Sequence, residues 1–428
     1  MRNLLGIQCF LLASIAAEAY PVRPTRSAKK EGLARSVPIT VMTMVSILKC
    51  PISGSDLSFV DEKCLEELRS ETEKGGLRHL GGGPVRMHLK NALSSSDGQF
   101  IYPVDDGILI LLPSLAIVRT NQAYPNDFPQ LALETESVMR YYDEVGWHRI
   151  KDGVFEGVGR FDDLRPVSSE YIHKCHLRVG EHIPEHGKYL LDAASGPVLY
   201  PEHVAYSQGY GNRICVDISI AALRAAKRKL GDKGIYIQGE ITNLPLKNAS
   251  VDGFVSLHTI YHVPEEKQAA AFKELERVLK YGGTGVVVYT WGSHCRTMEF
   301  LTTHPIYSAF RRLLRNVLPT FLVDWLRGVP REQAQANADT ANKEPELYYH
   351  PHDYNWFQRE IASRASWDVK AWRSVSVPFL RQYAHAKLLG RPLLSILFWL
   401  EDASPHLFGR FGQYPMMICR KTKPNEGL

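Results

Sequence analysis

From Tyr189 onward the chain alternates short apolar runs with longer stretches of helical period. Tyr189 to Asp192 is an apolar run that ends in an acid, followed by the small-residue turn Ala193-Ala194-Ser195-Gly196-Pro197. A second run, Arg213-Ile214-Cys215-Val216-Asp217, also ends in an acid. Ser219 then stands as an N-cap before a helix from Ile220 to Leu230, with a basic last turn and a stop at Gly231. Ile235 to Ile241, Ser250 to His258 and Thr284 to Thr290 read as three more strands, and Glu265 to Lys280 as an amphipathic helix closed by Gly282-Gly283. A helix from Glu170 to Ile183, capped by Ser168 or Ser169, precedes the first strand. Strand and helix in alternation predict a parallel sheet covered on both faces. Trp367 to Ser376 and Gln413 to Lys421 read as strands that close the sheet with an antiparallel edge pair. The long connection between them holds an apolar helix, Pro392 to Leu400.

The turn after the first strand brings backbone N–H groups close to a ligand at the strand's carboxyl end, and the acid ending the next strand can accept ribose hydroxyl protons. Asp217 fits that acceptor role, although any exposed βαβ corner offers the same pattern. Four ordered segments then carry a resemblance. These are Leu191-Asp192-x-Ala194-x-Gly196, Val216-Asp217-Ile218-Ser219, Gly239-Glu240-Ile241 through Leu244-Pro245-Leu246 to Ser250-Val251-Asp252, and Glu276-Arg277-Val278-Leu279-Lys280-Tyr281-Gly282-Gly283. Together they resemble the class I S-adenosylmethionine-dependent methyltransferases, in the branch that includes quinone-biosynthesis and small-molecule enzymes, from about Tyr141 to the C-terminus. The resemblance implies an α/β, Rossmann-like seven-stranded sheet, mostly parallel with an antiparallel C-terminal edge hairpin. It implies S-adenosyl-L-methionine as cofactor, held by Asp192, Ala194, Ser195, Gly196, Asp217, Ile218, Glu240, Ile241 and His258. Ala194 and Val198 stand where the family has glycines, Glu240 replaces aspartate and Tyr281 replaces proline. Lost glycines weigh against a pyrophosphate-bearing dinucleotide, so an NAD-dependent oxidoreductase is the weaker alternative, beside a non-catalytic scaffold of the same fold.

With 428 residues the chain is long enough for two domains or one enlarged by insertions. A net charge of +5 without a basic, aromatic-interleaved module gives no nucleic-acid partner. Seven scattered cysteines without a C-x-x-C argue against a disulfide-built domain, and Cys215 and Cys419 fall in apolar strand patterns as core thiols. Residues 1–40 form a leader that suits a cleaved signal peptide, an organellar transit segment, a membrane-anchor rim or a start misassigned ahead of Met42 or Met44, so cytoplasmic and organellar locations both stay open. Residues 44–115 resemble the zinc ribbon of the methyltransferase activator subunit, in Leu48-Lys49-Cys50-Pro51-Ile52-Ser53 and Tyr102-Pro103-Val104-Asp105-Asp106-Gly107-Ile108. Ser53 stands in place of the second cysteine, so no metal is expected; the ribbon remains a candidate protein-docking module. Glu66 to Ser96, polar and glycine-rich, reads as a loop or weak helix, and Asn121 to Pro129 as a linker to the domain at 130–428.

A sulfonium makes its methyl group electrophilic already, so the protein mainly positions a nucleophile and excludes water. A base is needed only where the acceptor must lose a proton. His258 and His262, at the end of the fourth strand, are the candidate bases or else hydrogen-bonded structural residues. Tyr142 and Trp147 are candidates for an aromatic lid, with core packing as the alternative. Within an insertion at 291–366, Pro305 to Leu318 predicts a helix with a basic face and Arg331 to Lys343 a polar linker. The segment around Tyr348, Tyr349 and His350 predicts, together with Tyr261, an aromatic acceptor pocket or a helix cap, with His350 and His352 lacking a third metal ligand. The expected acceptor is small or lipid-like, and the apolar and basic helices either contact a membrane surface or are core.

Overall fold

In the computed structural model, residues 39–120, 133–147, 162–303, 347–363 and 366–423 are described. The expected leader, linker, basic helix at Pro305 and polar stretch at Arg331 lie outside them. Among the described residues thirteen strands form one sheet: β1 (Leu57–Phe59), β2 (Leu77–His79), β3 (Asn91–Ser95), β4 (Ile101–Asp105), β5 (Ile108–Ile110), β6 (Ile117–Arg119), β7 (Gly187–Ala193), β8 (Tyr210–Asp217), β9 (Gly234–Gln238), β10 (Val251–Leu257), β11 (Leu279–Val288), β12 (Ser366–Arg373) and β13 (Tyr414–Arg420).

The spatial order β9-β8-β7-β10-β11-β13-β12 is a seven-stranded Rossmann-like sheet, parallel from β9 to β11 and antiparallel at β13 and β12. Strand order reverses between β7 and β10, the position at which open α/β sheets bind ligands beyond their carboxyl ends. The middle of the sheet is buried on both faces, which is why Leu190-Leu191 and Ile214-Cys215-Val216 read as continuous apolar runs. Close packing dictates Gly285 in β11, because a Cβ there would lie 2.3 Å from the Phe254 ring of β10. The helix Ile220–Leu230 begins as its sequence predicts, with the Ser219 hydroxyl accepting the Ala222 N–H at 3.1 Å. The cap of the helix Ser169–Gly180 differs: Ser168 occupies the N-cap position, but its hydroxyl donates to Asp163 at 2.8 Å.

The N-terminal segment expected to form a ribbon is part of the same sheet. Antiparallel β1, β3, β4 and β5 run on into it because β5 pairs in parallel with β9, Ile108 opposite Tyr236 and Ile110 opposite Gln238. The junction is reinforced where Lys247 N–H donates to the Ile47 carbonyl at 2.8 Å and the Asn243 amide to the Pro51 carbonyl at 2.8 Å. Met44, Leu48, Cys50 and Tyr102 share one apolar core with Ile214, Val216 and Leu246. The edge of β5 is thus covered by this chain's own β9. Ser53 N–H and the Tyr102 hydroxyl both reach the Cys50 sulfur, at 3.4 and 3.1 Å, and Cys50 is a buried, hydrogen-bonded thiol.

Glu66 to Ser96 is more ordered than its composition suggests. The helix Glu62–Glu73 starts at Asp61, whose carboxylate accepts the Cys64 N–H at 2.8 Å, and it buries Leu65 and Leu68 against Leu77, Ala92 and Ile117. Two anchors on one face suffice to order it, although the surrounding residues are polar.

Candidate active site

One cavity of about 550 Å³ opens at the carboxyl ends of β7, β8, β9 and β10. At its floor the turn after β7 takes the left-handed conformation at three alternating positions, Ala194 (φ 56°), Gly196 (φ 53°) and Val198 (φ 53°). Those are the positions at which glycine was expected, so the backbone path is kept while two side chains are added. A β-branched residue at positive φ is strained by about 1–3 kcal/mol. The Val198 side chain is wholly buried against Ile108 and Ile110 of the ribbon and Cys215 and Leu223 of the sheet, which offsets that cost.

Asp217 ends β8 beside this turn. One carboxylate oxygen accepts the Gly196 N–H at 2.8 Å and the other the Ser219 N–H at 2.8 Å. A carboxylate can accept about four hydrogen bonds, so capacity remains for a ligand. Burial pushes the Asp217 carboxyl up to about 6, and Asp192 and Asp143 nearby act in the same direction against the two backbone N–H groups. Ala194, Ser195, Gly196, Ile218, Glu240 and Ile241 complete this side of the cavity. Asp192 lines it as well, but its Oδ2 is gripped by Nε and Nη2 of buried Arg213, at 3.0 and 2.5 Å. Its first task is to neutralise a cation inside the sheet, and a basic residue at the head of an apolar run was the available signal.

Tyr142 and Trp147 stack at 5.0 Å with their planes 14° apart, and a Cβ on Gly196 would meet the Trp147 ring at 3.3 Å. Both rings line the cavity over the turn. Tyr142 opens, and Trp147 follows, a single π-helical turn, Tyr142–Gly146, after the helix Leu133–Tyr141, and from that turn Asp143 reaches the start of the helix Ile220–Leu230. Its carboxylate accepts from the Ser219 hydroxyl at 2.5 Å and the Ala221 N–H at 3.2 Å. A helix N-terminus presents free N–H groups and a partial positive charge, so a carboxylate there fastens the aromatic segment.

On the far side, His258, His262, Tyr261 and Tyr349 line the cavity. His258 sits at φ 58°, its ring edge-on to Trp372 at 4.5 Å and to Tyr414 at 5.5 Å. Burial, with the Arg373 charge nearby, holds its pKa well below the usual imidazole value. His262 Nδ1 lies 2.7 Å from the Tyr348 carbonyl oxygen. A carbonyl can only accept, so Nδ1 carries the proton and Nε2 is left with a lone pair. Burial lowers this imidazole to about 4, which keeps it neutral and able to accept a proton.

Two expected pocket residues fall outside. The Tyr348 hydroxyl accepts the Glu265 N–H at 3.0 Å, and His350 Nε2 lies 3.1 Å from the Glu265 carboxylate; neither residue lines the cavity. Glu265 also supplies the third group whose absence the sequence suggested, meeting His350 and His352 in one cluster away from the cavity. Sequence reasoning missed Asp162, His176, Tyr200, His203, Trp372, Arg373 and Tyr414, which line the rest of the wall. They come from five separated stretches that only the closed sheet brings together.

Residues 191–287 match the family model described as a methyltransferase domain. Among curated proteins none matches the chain. Solved structures do. Geranyl diphosphate C-methyltransferase from Streptomyces coelicolor, in complex with Mg2+, geranyl diphosphate and S-adenosyl-L-homocysteine, is 14% identical, with 68% of this chain and 100% of that chain covered and a TM-score of 0.39. A geranyl diphosphate methyltransferase in complex with SAM is 16% identical, with 60% and 93% covered and a TM-score of 0.34. A chain of the complex between the Haloferax volcanii Trm112 methyltransferase activator and a methyltransferase is 13% identical, with 60% and 96% covered and a TM-score of 0.34. Residues 191–287, from β7 to β11 of the Rossmann-like sheet, thus match a methyltransferase-domain family that binds S-adenosyl-L-methionine.

Proposed function

We propose that this protein is a methyltransferase that moves the methyl group of S-adenosylmethionine to a small or lipid-like acceptor. The observation that carries the reading is Asp217: a buried carboxylate at the end of β8, aimed by two backbone N–H groups and beside a left-handed turn, facing an open cavity. These residues fit the donor, whose ribose hydroxyls need an acceptor and whose amino acid part tolerates the Cβ of Ala194 where a pyrophosphate would not.

When bound, the donor supplies a methyl group already activated by its sulfonium. Asp217 holds the sugar side, the Ala194–Gly196 turn offers backbone groups, and Tyr142 with Trp147 keeps water from the crevice. Where the acceptor carries a proton that must leave, Nε2 of His262 takes it. His258 is the second candidate base. Donor and acceptor must share about 550 Å³, which limits the acceptor to a small molecule or the end of a longer one.

A lipid-like acceptor is supported by a different observation. Leu393, Ile396, Trp399 and Leu400 are exposed along the helix Gly390–Ala403, next to exposed Leu407 and Phe411, a row of the kind that rests on membrane surfaces. Among the described residues no helix is long and apolar enough to cross a membrane.

Isothermal titration with S-adenosylhomocysteine tests the donor site, with micromolar affinity expected and loss in Asp217→Ala. Methyl transfer from labelled donor into cell extract tests turnover. Binding without transfer leaves a scaffold, and binding of NAD alone overturns the reading.

A further inference from the structure

The cavity holds a cation that the methyl-transfer chemistry does not use. Arg373 ends β12, where the pairing with β13 slips between Ala371 and Arg373. That irregularity lets consecutive residues, Trp372 and Arg373, both face the cavity, and each is 2% exposed. The guanidinium lies 5.0 Å from the Trp372 ring centre and 4.6 Å from that of Tyr414. Its Nε and Nη1 are buried with no hydrogen-bond partner. The nearest carboxylate, Asp162, stands 4.0 Å from Nη1, is a quarter exposed, and accepts the Tyr200 hydroxyl. A fully buried guanidinium with donors left open is costly unless something anionic completes it.

We infer that the methyl acceptor is a small planar acid whose carboxylate is held by Arg373, with its flat body against Trp372 and Tyr414. The inference rests on the methyltransferase reading and names the acceptor's class. A single negative charge is favoured by the inventory of the wall: among the described lining residues Arg373 is the only arginine or lysine. The imidazoles around it, His176, His203 and His258, are held neutral by burial, and Asp162 already takes part of the positive charge. A phosphate dianion would lack a second cation there, whereas a carboxylate matches the fork of one guanidinium.

The test uses the full chain, S-adenosylmethionine labelled in its methyl group, and the small molecules of a cell extract separated on an anion exchanger. The acceptor is expected in the retained fraction and to elute near pH 3, where a carboxylate is protonated and a phosphate is not. In Arg373→Gln the apparent KM for that fraction should rise about 100-fold, with Arg373→Lys between the two and the affinity for S-adenosylhomocysteine unchanged. On the wild-type protein benzoate should compete with the acceptor while benzamide, of the same shape and uncharged, should not. An acceptor in the unretained fraction, retention that persists at pH 3, equal effects of benzoate and benzamide, or wild-type turnover by Arg373→Gln each overturns the proposal while methyl transfer itself stands. Bound S-adenosylhomocysteine with no labelled product in any fraction overturns the transferase reading and the proposal with it.

Discussion

Replacing Asp217 by asparagine separates what this residue does for the fold from what it does for the ligand. Burial raises its carboxyl from 3.8 to about 6. Two pKa units correspond to about 3 kcal/mol against the charged folded form at neutral pH. The folded value lies above the unfolded one, so this penalty is complete above pH 6 and is relieved as pH falls from 6 towards 4. Asparagine removes the charge, but both carboxylate oxygens accept backbone N–H groups, from Gly196 and Ser219. Its NH2 must face one of those donors, at a cost of about 1–3 kcal/mol. The two effects nearly cancel, and the melting temperature should move by only a few degrees. Ligand affinity has no such compensation. Loss of a charged acceptor for the ribose hydroxyls, worth about 1.5–3 kcal/mol, should weaken S-adenosylhomocysteine roughly 10- to 100-fold. Calorimetric titration from pH 5 to pH 8 should show wild-type affinity falling below pH 6 as Asp217 takes up a proton, and the variant should be insensitive to pH. An Asp217→Asn protein that binds within threefold of wild type, or keeps the wild-type pH dependence, refutes the reasoning.

Other perturbations address the remaining parts of the cavity and the ribbon. His262→Ala should lower kcat about 100-fold for an acceptor that loses a proton and leave donor affinity alone; in wild type the limb of kcat set by His262 should lie near pH 4 instead of 6.5. Asp143→Ala removes two hydrogen bonds that fasten the aromatic segment, and stopped-flow displacement should show S-adenosylhomocysteine leaving about tenfold faster. Leu109→Asp places a charge in the core that ribbon and sheet share; chemical denaturation should show a loss of more than about 3 kcal/mol, and wild type should unfold in one transition by every probe.

What could be read in advance depends on how locally each feature is encoded. β7 and β8 carry apolar runs that end in acids, and the helix Ile220–Leu230 has its own cap and stop, so Asp192, Asp217, Ser219 and Gly231 mark these ends within a few residues of the elements themselves. The turn was legible for the same reason, since three left-handed positions must be spaced by two whatever side chains occupy them. The cavity wall around Arg373 is encoded differently. Arg373 belongs to a strand that reads as ordinary until the slip against Pro415 and Tyr414 turns two neighbours inward, and its partners come from residues 162, 176, 200, 203 and 258. No window of sequence contains that arrangement. The ribbon shows the same limit. The pairing of β5 with β9 follows from two edges meeting in space. Without β5 the Tyr236–Gln238 edge would present open backbone groups of the kind that recruit another strand, and the strained Val198 would lose Ile108 and Ile110 from its packing. A side chain strained in the turn after β7 is thus supported from the N-terminal strands, so their integrity and the shape of the cavity floor are one structural problem.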